Sequence, residues 1–195
     1  GQIGTDADKT ANFALVAQAV ITAAMNHARL ILFPEATMRA FGTGRLDEIA
    51  EPLDGPFVSA LAGLAKNYNI AIVVGMFRPA DQHVVSGRTI NRVYNTTVAI
   101  CPDGTVVHYD KIHTYDAFGY RESDTIKPGK NLVTFTYNAV TFGLATCYDL
   151  RFPQQFRQLA RRGADIILVP TSWADGPGKL QQRQLLIRAR ALDAT

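Results

Sequence analysis

At 195 residues the chain has the length of one domain and can bury a core without disulfide or metal support. Hydrophobic residues make up 47% of it and mean hydropathy is near zero; no apolar run approaches the ~18 residues of a spanning helix, which argues against an integral membrane protein. Lys and Arg exceed Asp and Glu by 20 against 17, an excess too small and too scattered to point to nucleic acid.

Two cysteines, Cys101 and Cys147, do not make a disulfide framework. With no secretory leader visible, a reducing, cytoplasmic setting is the expectation. The whole chain, 1–195, reads as one unit without repeats, low-complexity segments or linkers.

Taken in order, residues 8–29 place Phe13, Val16, Ala17, Val20, Ala24 and Ala28 at helical spacing, with Asp6 or Asp8 as cap. Arg29–Phe33 reads as a buried strand, and Pro34-Glu35 ends it. Gly55-Pro56 opens a second helix over 57–68. Residues 70–75 form a fully apolar strand, and 88–100 a β-type run. Cys101-Pro102-Asp103-Gly104 turns the chain into a returning strand over 105–109. Lys111 follows directly. Residues 114–129 show no periodicity and read as a long functional loop. Segments 132–137 and 140–146 form a hairpin about Asn138-Ala139. A helix over 153–162, a buried strand over 165–169 and a helix over 178–192 complete the chain. The alternation predicts an α/β protein whose sheets are covered by helices.

Three residues follow strands in this reading: Glu35, Lys111 and Cys147. Strand ends are where open α/β folds place their chemistry. An isolated thiol is only a few per cent ionised at neutral pH, so a nucleophilic cysteine needs a base or a cation beside it. Glu35, flanked by Leu32, Phe33 and Pro34, is suited to the base, and Lys111 to the cation. Each alone has a plain structural reading: a strand-end carboxylate, a solvated lysine, a small buried hydrophobe. Only the three together point to nucleophilic catalysis.

The motifs Phe33-Pro34-Glu35, Tyr109-Asp110-Lys111-Ile112-His113 and Cys147-Tyr148-Asp149-Leu150-Arg151-Phe152-Pro153 resemble those of the nitrilase superfamily of carbon–nitrogen hydrolases. The resemblance spans essentially the whole chain. It takes in Glu122 within Arg121-Glu122-Ser123-Asp124 and the run Arg188-Ala189-Arg190-Ala191. It implies an α-β-β-α sandwich and a cofactor-free, metal-free Glu35–Lys111–Cys147 triad. It also implies a thioester acyl-enzyme, Glu122 orienting Lys111 or the substrate amide, and a homodimer or larger assembly. The heptapeptide from Cys147 is most similar to the omega-amidase and deaminated-glutathione-amidase branch, since the Trp-Glu-Asn of true nitrilases is absent. That branch implies a small amide bearing a carboxylate, with Arg151 a candidate for the substrate charge or for site structure. The Tyr148 N–H joins Lys111 where the oxyanion forms, and Trp173, after Pro170-Thr171-Ser172, is read as a pocket wall, with packing as the alternative. Gln154, Asp193-Ala194 and Arg183 depart from the branch pattern and leave the substrate open.

Members of that superfamily continue beyond this length with further strands and begin with a strand that Gly1–Ile3 only ends. The expectation is therefore a unit incomplete at both ends, or else a short member, in which missing inner strands would leave a sheet edge and apolar surface exposed. Carbamoyl amino acid or nitrile hydrolysis with the same triad is an alternative, as is a non-catalytic subunit. A Cys147–His113 dyad is the rival activation of the thiol. A metal site at His108, Asp110 and His113 lacks further ligands, and a redox role lacks a CxxC motif.

Overall fold

The computed structural model describes residues 1–117 and 119–195. Phe118, within the predicted loop, lies outside the described residues. The first sheet is built from β1 (Leu30–Leu32), β2 (Ala71–Val85), β3 (Arg88–Ile100) and β4 (Val106–Asp110), in that spatial order. The β1–β2 pair is parallel and the others antiparallel. The second sheet has the order β7 (Val133–Tyr137), β8 (Val140–Leu144), β9 (Ile166–Leu168), with β8 and β9 parallel.

Among the described residues, four α-helices cover the outer faces. Asp8 caps α1 (Lys9–Met25) by accepting from the Thr10 and Ala11 N–H groups, and the helix stops where His27 turns left-handed, at φ 61°. It therefore ends short of the predicted Arg29. Pro56 occupies the first turn of α2 (Pro56–Tyr68), and Asn69 closes it at φ 50°. Pro153 opens α3 (Pro153–Arg161), and α4 (Lys179–Asp193) follows β9.

Alternation along β2 explains the layering. Ile70, Ile72, Val74 and Met76 pack with Val16 and Val20 of α1 and Leu61 and Ala65 of α2. The intervening Ala71 and Val73, with Ala99 and Tyr109, meet Phe135, Phe142, Leu144 and Leu168 of the second sheet. Beyond that sheet, Phe156 and Leu159 of α3 and Leu186 of α4 cover Ala145, Leu150 and Ile167. The result is helices, sheet, sheet, helices. Each fully buried aliphatic side chain in these layers contributes roughly 1.5–3 kcal/mol. β9 lies at the edge of its sheet with Ile166 about half exposed, and α4 leaves Leu185 and Leu192 largely exposed. Among the described residues no helix is long and apolar enough to cross a membrane.

Two segments differ from the sequence expectation. β2 runs ten residues beyond Gly75, through Pro79, because its partner β3 runs on beside it; the register shifts between Pro79 and Gln82 to accommodate the proline. The segment 114–129 holds two short strands, β5 (Asp116–Ala117) and β6 (Tyr120–Arg121), and a 3-10 turn over Glu122–Asp124. It is anchored to β3 through Val93, whose N–H donates to Thr125 O and whose carbonyl accepts from Lys127 N–H.

Candidate active site

Three chain crossings bring the chemistry to one place. Beyond β1 the chain stays beside β2, with Phe33 N–H donating to Val73 O and Gly75 N–H donating to Pro34 O. Gly75 is required there, since a Cβ would stand 1.6 Å from the Glu35 carbonyl oxygen. Lys111 extends the β3–β4 ladder by one bond, its N–H donating to Asn95 O at 2.9 Å, and its own carbonyl accepts from Gly129 N–H.

Cys147 opens a 3-10 turn, Cys147–Arg151, and holds φ at 45°, a left-handed value rare outside glycine. Strain of this kind collects at functional positions, where surrounding contacts over-determine the backbone. Here those contacts are identifiable. Cys147 N–H donates to Pro170 O, and the Asp149 carboxylate accepts from Thr146 N–H in a capping box. Asp149 is fully buried and also accepts from Tyr109 Oη–H at 2.6 Å and from His113 N–H, with His113 Nδ1 2.7 Å away. Tyr109 Oη in turn accepts from Ile112 N–H and Gln155 Nε2. The His113 ring is thus engaged with Asp149 and stacked on Phe152, with centroids 3.6 Å apart, while the Cys147 thiol lies in the field of Glu35 and Lys111.

The acid and base side chains form a compact cluster. Lys111 Nζ stands 3.0 Å from Glu35 Oε1 and 3.0 Å from both Glu122 carboxylate oxygens. Glu35 Oε1 also accepts from Asn95 Nδ2 at 2.8 Å, and Glu35 Oε2 from Ser172 N–H at 3.0 Å. Glu35, Lys111, Glu122 and Cys147 are all buried. Burial alone would push the Lys111 ammonium toward losing its proton, but the Glu35 and Glu122 charges outweigh it and carry its pKa above the ordinary lysine value. Burial pushes the Cys147 thiol well up, and the Glu35 charge adds to that against the opposing charge of Lys111. These effects keep the proton on the Cys147 sulfur, beside a charged lysine.

These groups form the floor of a cavity of about 390 Å³. Tyr148, Arg151 and Trp173 line its walls, together with Phe41, Tyr115 and Tyr120. The Arg151 guanidinium lies 5.7 Å from the Tyr148 ring centre and 5.6 Å from that of Trp173, and donates to Gln182 Oε1 at 3.2 Å. Lys179, in the first turn of α4, also lines the cavity. The structure therefore brings together all seven residues named from the sequence. Sequence reasoning missed Asn95, Ser172, Lys179 and the Asp149–Tyr109 support. The signal for Asn95 was present: Asn95, Thr96 and Thr97 are three successive polar residues, all fully buried, ahead of the apolar Val98-Ala99-Ile100 end of β3. Among the described residues no group of three or more His, Cys, Asp or Glu side chains is placed to hold a metal ion.

The family model described as carbon-nitrogen hydrolase matches residues 1–195. The chain belongs to the carbon–nitrogen hydrolase family. A Mycobacterium tuberculosis protein described only as a hydrolase is 44% identical to this hydrolase over 196 residues, 99% of this chain and 67% of the relative. The deaminated glutathione amidase of Escherichia coli O157:H7 is 31% identical over 198 residues, 100% of this chain and 72% of the relative. Among solved structures, a Saccharomyces cerevisiae protein assigned to branch 10 of the nitrilase superfamily superposes with a TM-score of 0.78 at 27% identity, covering 98% of this chain and 69% of that one. The layered α/β architecture is that of the superfamily.

Proposed function

We propose that this hydrolase cleaves a small, carboxylate-bearing amide through a thioester on Cys147, releasing ammonia. The observation that carries this reading is the placement of the buried Cys147 thiol against Glu35 and Lys111 on the floor of one cavity.

The neutral thiol defines the first step. Because burial holds the proton on sulfur, attack on the substrate carbonyl is coupled to transfer of that proton to Glu35. The carbonyl oxygen gains negative charge as the C–S bond forms. Lys111, held charged, offsets it together with the Tyr148 N–H, one of the first-turn donors that a 3-10 helix leaves without an intrahelical acceptor. Glu35 then passes its proton to the departing nitrogen as the C–N bond breaks, and ammonia leaves. Water attacks the thioester after giving a proton to Glu35. Collapse of that second intermediate returns the proton to sulfur and releases the acid. The sum is amide plus water to carboxylic acid plus ammonia, with Glu35 carrying one proton in each half.

Glu122 supports Lys111 with both carboxylate oxygens. Arg151 lines the same cavity and brings positive charge to it, which suits a substrate carboxylate. The amidase name of the Escherichia coli relative supports the same substrate class.

The test is ammonia release across succinamate, a carbamoyl amino acid and a simple nitrile, with intact-mass detection of an acyl adduct on Cys147. Turnover of succinamate, abolished in a folded Cys147→Ala variant, is the expected result. Hydrolysis that persists in that variant, or nitrile turnover without amide turnover, overturns the proposal.

A further inference from the structure

We infer that Asn95 is a positioning residue that holds the Glu35 carboxylate aimed at the Cys147 thiol; this rests on the reading of Glu35 as the base. Asn95 is fully buried on β3, between the chain crossings that deliver Glu35 and Lys111. Its Nδ2 donates to Glu35 Oε1 at 2.8 Å and reaches Glu122 Oε1 at 3.4 Å. Its backbone carbonyl accepts the Lys111 N–H. One residue thus touches both carboxylates through its side chain and the lysine through its main chain.

The orientation of the amide follows from chemistry. Both neighbours are carboxylate oxygens, which only accept, so the NH₂ end must face them. Its Oδ1 has no hydrogen-bond partner among the described residues. Burying an unpaired carbonyl costs free energy, and an apolar residue of the same size would avoid that cost. What the amide adds is donation to the carboxylate pair.

The charge count explains the need. Two carboxylates share one ammonium, with a neutral thiol beside them. Asn95 adds a further donor to Glu35 Oε1, beside the ammonium. It also pins that oxygen between Asn95 and Lys111, which turns Oε2 toward Ser172 N–H and holds the carboxylate against the thiol. The titratable groups facing Glu35 here are Lys111, Cys147 and Glu122.

The test needs no substrate: the rate of iodoacetamide alkylation at Cys147, located by peptide mapping to separate it from Cys101, from about pH 6 to about pH 9.5. Asn95→Leu is expected to slow alkylation by about 10- to 100-fold near pH 6. The gap should close toward the alkaline end, where hydroxide can ionise the thiol without Glu35. If Asn95→Leu does not fold by thermal melting, Asn95→Ala removes the same donor without added bulk and carries the same expectation. A wild-type profile in the folded variant, or a rate deficit that stays constant across pH, overturns the proposal. Failure of wild type to hydrolyse succinamate would instead count against the amidase reading and leave the alkylation result standing.

Discussion

Gly75 lies directly beneath Glu35: a Cβ at position 75 would stand 1.6 Å from the Glu35 carbonyl oxygen and 2.3 Å from its carbonyl carbon. The obstacle is backbone, which has no rotamer to escape into. Gly75→Ala must therefore push Glu35 away from Lys111 and Cys147. The expected outcome is a loss of about 100-fold in kcat, from displacement on the scale of 1 Å. Overpacking should also cost about 1–3 kcal/mol, read as a fall in the denaturant midpoint. Steady-state ammonia release and a urea melt on the same sample check both.

The left-handed φ at Cys147 predicts an inverted order of stability between two inactive variants. Glycine adopts φ 45° freely and alanine does not. Although Cys147→Ala keeps a buried methyl group, Cys147→Gly should exceed it in stability by about 1 kcal/mol. Equilibrium urea unfolding of both variants decides it, and an alanine variant that is the more stable would mean the turn relaxes.

Alkaline stability should decline early. Burial pushes the Cys147 thiol well up, and burial with the Asp149 charge does the same to the Tyr109 hydroxyl. The folded chain therefore keeps protons that the unfolded chain releases near pH 8.5 for cysteine and near pH 10 for tyrosine. Above those values the unfolded state binds fewer protons, so stability is fully present below about pH 8.5 and falls as pH rises. Cys147→Ala should flatten the first part of that fall, measured as the melting midpoint between about pH 7 and about pH 10.

Tyr109→Phe removes the hydroxyl that donates to Asp149 and accepts from Ile112 N–H and Gln155 Nε2. Leaving those buried groups unsatisfied should cost about 1–3 kcal/mol. Because Asp149 also anchors the turn that strains Cys147, kcat should fall while KM stays close to wild type. A variant that lost stability alone would show the network to be purely structural.

Arg151→Met keeps much of the side chain that lies near Tyr148 and Trp173 while removing its charge. KM for succinamate should rise about 10-fold or more, with kcat/KM for uncharged propionamide little changed. Equal effects on the two substrates would assign Arg151 to wall structure through its bond to Gln182.

Much of the architecture was legible because its signals are local. The apolar run at 70–75 and the proline before α2 are each read from adjacent residues, and both elements stand where expected. β2 beyond Gly75 was not legible, since Pro79 and the polar residues after it break the strand pattern; only pairing with β3 holds it extended. The same contrast divides the site. Glu35, Lys111, Glu122 and Cys147 were marked by motifs, and the structure gathers them. His113 was noticed without its partner, because Asp149 lies 36 residues away and nothing in the intervening sequence encodes the contact. Ser172 N–H is a backbone donor, so the side chain at that position carries no trace of its use.

The bonds that assemble the site have a consequence for how the chain acquires its chemistry. Glu35 is gripped by Ser172, Thr97 Oγ1 meets Thr146 Oγ1 at 2.9 Å, and Tyr109 reaches Asp149, each a bridge from the first sheet to the second. Residues 137 positions apart must meet before the base is held. Neither the segment before β7 nor the segment after it carries a reactive centre by itself. The grip on the base requires both sheets to be in place, so reactivity at Cys147 reports on whether they are docked.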